Sequence, residues 1–129
     1  MFIVRIYANL FVYEKIIFYK LQNGKCPISN YLDSLSDKQV EKIFFVLDLF
    51  ENIDIVPHKF FKKLLGTDGI WEVRVQYENN IFRLLGFFDG SDLIVLNHAF
   101  TKKTQKTPKR EIKIAEQRKK DYFLTRILV

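Results

Sequence analysis

Apolar residues recur along this chain with two different periods, and the periods mark its elements. Trp71, Val73, Val75 and Tyr77 alternate with Glu72, Arg74 and Gln76. That two-residue period belongs to a strand with one buried face, placed at Ile70–Tyr77. Ile81–Phe88 is a nearly continuous apolar run with one charge, Arg83, as a central strand should be. Leu93–Phe100 reads as the last strand. Glu78-Asn79-Asn80 and Asp89-Gly90-Ser91 are the turns between the three. Upstream, Lys59–Leu65 is a further strand, and Gly66-Thr67-Asp68-Gly69 supplies the tight turn after it.

The helical period appears on either side of this meander. Val40, Ile43, Phe44, Leu47 and Phe50 share one face of a helix over Asp37–Glu51, and Ser36-Asp37-Lys38-Gln39 fits a capping box at its start. A shorter helix, Ile28–Leu35, opens at Pro27, and a mixed aromatic and β-branched stretch, Val12–Leu21, reads as a strand before it. Pro108–Leu124 is the final helix, with Ile112, Ala115 and Tyr122 as a narrow docking stripe. The order is strand, two helices, a meander of about four strands, then a helix. It predicts an α+β domain whose antiparallel sheet carries helices on one side and a more polar concave face on the other.

Length and composition narrow this picture. The 129 residues fit one domain, and nearly half are hydrophobic, enough for a core without disulfide staples. The single cysteine, Cys26, has no partner for an internal bridge, which fits a reducing cytoplasm. The apolar N-terminus is interrupted by Arg5, Asn9, Glu14 and Lys15, and its longest uncharged run is far short of the ~20 residues a spanning helix needs. Met1–Val12 reads as an extension outside the main fold.

Charge is distributed unevenly. Residues 101–129 hold ten Lys/Arg against three acids, whereas residues 1–100 hold eleven against twelve, so the excess of +6 sits in the last quarter. Such asymmetry points to a nucleic-acid partner, with an anionic protein or a membrane surface as alternatives. The charge is densest in the loop between the last strand and the last helix. Thr107-Pro108 is a helix start: the threonine oxygen can accept an orphan amide, and the proline needs no donor there. Amides at such a start favour an anion, and Lys102, Lys103 and Lys106 add full charge nearby, so the loop reads either as a phosphate-handling site or as a solvated basic loop.

Arg83 needs a carboxylate inside its apolar strand, with Glu72 the candidate, or it must open with Arg74 onto a charged groove where two guanidiniums grip one phosphate. His98 alternates with Ile94, Leu96 and Phe100, and reads either as a core residue or as a proton-transfer group. No paired cysteines, H-E-x-x-H or carboxylate cluster predicts a metal, and no glycine-rich nucleotide motif predicts a cofactor. Arginines, lysines and one histidine without a metal suit cleavage of RNA by its own 2′-hydroxyl.

These residues also carry a family resemblance. C-P-I-S-N-Y-L-D-S-L at Cys26–Leu35, W-E-V-R at Trp71–Arg74, I-F-R at Ile81–Arg83 and F-F-D-G at Phe87–Gly90 occur in order, followed by H-A-F-T-K-K-T-Q-K-T-P-K-R-E-I at His98–Ile112. Over about Lys15–Phe123 the chain resembles the phage-derived HigB-like branch of the RelE/ParE toxin superfamily. The resemblance implies a RelE-like fold, with an antiparallel, mixed-edge sheet of about four to five strands, two N-terminal helices and one C-terminal helix, and a small cytoplasmic toxin that cuts translated mRNA in the ribosome. It also implies a helix-turn-helix, HigA-type antitoxin, through which alone operator DNA would be met. It places Arg74, Arg83, His98 and Lys102 in a catalytic set. Lys103, Lys106, Lys109, Arg110 and Tyr122 would contact RNA, Tyr122 by stacking on a base unless it docks the helix. A non-catalytic or gyrase-inhibiting protein of the same fold is the alternative.

Overall fold

The computed structural model describes residues 13–102 and 106–128. The expectations for Met1–Val12 and for Lys103 lie outside these residues. Among them run β1 (Ile16–Phe18), α1 (Pro27–Asp33), α2 (Asp37–Asn52), β2 (Phe61–Lys63), β3 (Trp71–Tyr77), β4 (Asn80–Asp89), β5 (Leu93–Thr101) and α3 (Lys109–Leu128). The five strands form one sheet in the order β1-β5-β4-β3-β2. β1 lies parallel to β5 at one edge, and every other pair is antiparallel. The predicted α+β architecture is therefore present, with its expected mixed edge.

Local chemistry accounts for the element starts. Pro27 stands at the beginning of α1, where its missing amide is not needed. The capping box at α2 is complete: Gln39 N–H donates to Ser36 Oγ at 3.3 Å, and Ser36 N–H donates to Gln39 Oε1 at 2.9 Å. The predicted strand Val12–Leu21 shrinks to three residues at β1, since only Ile16–Phe18 pair with Ile94–Leu96.

The expectation of helices on one side only is corrected. The main core lies between α1 and α2 and one sheet face, where Val40, Ile43 and Leu47 meet Val73, Val75, Phe82, Leu84, Ile94 and Leu96. The α3 helix packs across the opposite face. Its Ala115 and Ile112 join Leu64, Ile70 and Leu85, and its Tyr122 and Phe123 join Tyr19, Phe87 and Val95. Both faces carry apolar residues because β4 is buried from Ile81 to Phe87.

A β-bulge separates two registers of β4 and β5. Leu85 pairs with His98, but Gly86 pairs with Leu96, so Asn97 is the extra residue. β5 comes so close there that a Cβ on Gly86 would sit 2.2 Å from the Val95 carbonyl oxygen. Asn97 turns inward, fully buried, and its Nδ2 donates to the Ala115 carbonyl of α3 at 2.9 Å. The bulge shifts the alternation of β5 by one residue. Ile94 and Leu96 face the α2 core, whereas His98 and Phe100 face α3. Simple alternation across the strand had grouped His98 with Leu96.

Gly86→Ala is expected to destabilise the domain by about 2 kcal/mol or more, because backbone cannot step aside as a side-chain end can. Gly24→Ala should cost about 1 kcal/mol, from its left-handed backbone alone, since a Cβ there meets nothing within 4 Å at φ +87°. Urea midpoints measure both, and equal costs would contradict the close approach at the bulge.

Candidate functional site

Strand pairing assembles the centre of the site. Arg74 and Arg83 are direct cross-strand partners, and Glu72 lies two residues before Arg74 on the same face of β3. Glu72 answers both. Its Oε1 lies 3.2 Å from Arg74 Nη2 and 3.4 Å from Arg83 Nη1. Arg83 therefore has the ion pair with Glu72 and a place beside Arg74, but it does not open onto a groove. The two arginines differ in access. The side chains of Arg83 and Glu72 are fully buried, whereas Arg74 keeps 21% of its side-chain surface.

Thr107 closes the cluster from the helix side. Its hydroxyl donates to Glu72 Oε2 and accepts from Arg83 Nη1, the latter at 3.1 Å. The residue expected to cap α3 thus places its oxygen in a buried ionic network. Burial pushes the Arg83 pKa down, Glu72 opposes that, and Arg74 adds to it. Arginine nonetheless keeps its proton. Glu72 faces two guanidiniums, and Arg74 is the one of the two that reaches solvent.

His98 sits in a second group on the same face. Its Nε2 is 3.3 Å from Glu111 Oε1, in the first turn of α3, and its Nδ1 is 3.3 Å from Arg118 Nη1. Arg118 also donates to the Asn97 carbonyl at 2.8 Å. A guanidinium can only donate, so Nδ1 is the acceptor and Nε2 carries the hydrogen directed at Glu111. Burial lowers the His98 pKa, the Glu111 hydrogen bond and charge raise it, and Arg118 lowers it again, with a net downward shift. The ring is neutral at pH 7.

The remaining expected residues fall in two places. Lys102 follows β5, its backbone N–H bonded to the Ile81 carbonyl at 3.0 Å. Lys106 precedes α3, and Lys109 and Arg110 project from its first turn, all three exposed. Tyr122 lies at the other end of the sheet. Its hydroxyl donates to Asp89 at 2.7 Å and its ring packs edge-on to Phe87 at 5.3 Å. Asp89 is six residues beyond Arg83 on β4, roughly 20 Å along the strand. The structure thus places Tyr122 in helix docking, under Arg126 and away from Arg74 and Arg83. The sequence reading missed Thr107 as a bridge, and it missed Glu111 and Arg118 altogether. Their only local sign was an acid and a base spaced by two turns on a helix after a basic loop.

Among the described residues, no three His, Cys, Asp or Glu side chains gather as a metal site would require. Nor is any helix among them long and apolar enough to cross a membrane.

Fold and site together define an α+β domain in which a helix start pinned by a buried carboxylate–arginine network exposes one guanidinium beside a basic loop. Residues 30–120 match the profile of the family described as phage-derived protein Gp49-like (DUF891), and the chain belongs to that family. No curated protein matches it. Among solved structures it is similar to a chain of the archaeal RelE–RelB complex from Pyrococcus horikoshii OT3. That match has 15% identity and a TM-score of 0.45, over 74% of this chain and 100% of the other.

Two outcomes follow from the buried groups. Glu72→Ala leaves Arg83 enclosed without its carboxylate and is expected to cost about 3–5 kcal/mol. Thr107→Val removes one bridging hydroxyl and should cost about 1–2 kcal/mol. Urea denaturation measures both, and a Glu72→Ala cost below that of Thr107→Val would contradict the central role of the carboxylate. The His98 shift also has a sign. Its folded pKa is depressed, so the unfolded chain takes up the proton first. Stability is full above the unfolded value near 6.5 and falls as the pH drops through it, levelling off below the folded pKa. Stability should therefore fall between pH 7.5 and 5.5. His98→Gln should abolish that part of the loss, and an undiminished pH dependence in the variant would assign it elsewhere.

Proposed function

We propose that this domain is a HigB-type toxin of a toxin–antitoxin pair. It cuts translated mRNA on the ribosome, in the cytoplasm, by metal-free transesterification through the 2′-hydroxyl of the RNA. The observation that carries this reading is the pairing of Arg74 and Arg83 across two strands on a buried carboxylate, which brings the Arg74 guanidinium to the surface beside a lysine-bearing loop. Family membership and the His98–Ile112 signature support it.

In the reaction a proton leaves the 2′-oxygen, that oxygen bonds to phosphorus, and the bond from phosphorus to the 5′-oxygen breaks as that oxygen is protonated. The products are a 2′,3′-cyclic phosphate and a 5′-hydroxyl. Arg74 grips the non-bridging oxygens, where charge builds in the phosphorane. Arg83 acts from behind by holding Glu72, and with it the orientation of Arg74. The attacking and leaving oxygens must lie on opposite sides of phosphorus. His98 and Lys102 stand on either side of Phe100 along β5, flanking the row that contains Arg74 and Arg83. His98 takes the 2′ proton at Nδ1 as Arg118 turns from that nitrogen to an RNA phosphate, Glu111 steadies the imidazolium through Nε2–H, and the Lys102 ammonium supplies a proton to the 5′-oxygen. Lys103, Lys106, Lys109 and Arg110 hold flanking phosphates. A HigA-type helix-turn-helix antitoxin silences the toxin and alone connects it to operator DNA.

Arg74→Ala should reduce cleavage of a reporter mRNA by about a hundredfold or more with an unchanged thermal melt. The cuts are mapped by primer extension in a reconstituted translation system, with and without ribosomes. Cuts in codon register that need ribosomes are the expected result. Full activity in Arg74→Ala would sink the proposed site. No cuts from the folded wild type would leave the non-catalytic or gyrase-directed alternatives.

A further inference from the structure

A cleft of about 460 Å³ opens between the turn that joins β2 to β3 and the start of α3, a volume in the range of ligand sites. We propose that this cleft holds an unpaired nucleotide of bound RNA, with its base against an aliphatic floor and its phosphate among the rim lysines. The proposal rests on the RNA-cleaving reading for the class of its ligand, but not on which residue transfers protons.

Four observations carry it. The cleft is joined to the arginine cluster through one residue: Thr107 lines the cleft and also bonds Glu72 and Arg83. A chain held at Arg74 therefore has its neighbouring nucleotide within reach. Second, the rim is cationic. Lys62 stands directly across from Glu72 on the same face, and Lys106, Lys109 and Lys113 rise from the helix side. Glu116 is the one carboxylate of the lining, and it accepts the Asp68 N–H at 2.8 Å. Third, the floor is apolar. Leu64 and Ile112 form it, and Leu65 stands at the edge with 92% of its surface exposed. An aliphatic side chain so open to water, ringed by lysines, suits a ligand with one flat apolar part and one anionic part. Fourth, the wall is fixed in place. Lys119 Nζ donates to the Asp68 carbonyl at 2.7 Å and lies 3.6 Å from its carboxylate, while Glu116 holds the Asp68 amide. The turn is thereby strapped to α3, and the cleft does not have to form on binding.

Among the described residues, the floor offers no set of donors and acceptors matched to one base. Binding there should be tolerant of base identity, as stacking sites are.

The test is equilibrium binding of a seven-nucleotide single-stranded RNA to the full-length protein. The central base is 2-aminopurine, whose fluorescence is quenched by stacking on its neighbouring bases and rises when it leaves them for an aliphatic surface, and the 2′-oxygens are methylated to prevent cleavage. A rise on binding is expected. Leu65→Ser should abolish most of the rise and weaken binding by about tenfold, with the salt slope unchanged. Lys62→Ala combined with Lys113→Ala should lower the log–log salt slope by about 1.4, two single-strand phosphate contacts. Leu65 buries almost nothing, so its replacement leaves the core intact, and an unchanged melt confirms that. If both variants bind like the wild type and give the same rise, the cleft proposal is overturned. Ribosome-dependent cutting with a cleft-indifferent fluorescence change would keep the toxin reading and refute the cleft. Cleft-dependent binding by a protein that cuts nothing would do the reverse.

Discussion

A fully buried arginine must be neutralised, and that demand organises this domain. Arg83 lies inside β4, where an unpaired guanidinium would cost several kcal/mol. Glu72 meets it from β3, and the pairing requires the register in which Arg83 opposes Arg74. One carboxylate then serves two cations, and the second, Arg74, extends toward solvent. Thr107 joins the cluster from later in the chain, so the start of α3 is pinned to the sheet by the same network. The lysines around that helix start take their positions from this anchor. Stability and charge presentation thus depend on one carboxylate.

A second constraint acts through the backbone. Gly86 lets β5 approach β4 closely enough for Asn97 to bulge, and the bulge turns His98 toward α3. Without it His98 would point into the aliphatic core beside Leu96. With it the imidazole lies between Glu111 and Arg118, and its tautomer is fixed by a donor on one side and an acceptor on the other. A pair of this kind is a proton-transfer unit in the proposed reaction and a pH-sensitive element of stability in any case.

Much of the architecture was legible in the chain. The alternation from Trp71 to Tyr77, the apolar run through β4 and the Ser36–Gln39 box are local signals, and each produced the element it predicts. The pairing of Arg83 with Glu72 was legible too, because the solvation cost of a charge in an apolar strand names its own remedy. The mixed edge came with the family resemblance and not from periodicity, since a three-residue contact at β1 leaves no periodic trace. The bulge was not legible, because it depends on how Gly86 and Asn97 meet across strands. Thr107 was read by its local propensity to cap, while its strongest partner stands 35 residues earlier in the chain. The α3 helix carries a narrow apolar stripe, and only the second buried face of β4 reveals that the helix must cover it.

The most direct test of the account is the chemistry at the ends of cut RNA, determined with ribosomes programmed by a defined message and with cut sites probed for a terminal phosphate on each fragment. A 2′,3′-cyclic phosphate upstream and a free 5′-hydroxyl downstream are the products that attack by the RNA's own 2′-oxygen must leave, with Arg74 at the phosphate and His98 as proton acceptor. A 5′-phosphate with an upstream 3′-hydroxyl would mean that water attacked instead, and would contradict the proposed site and its mechanism together.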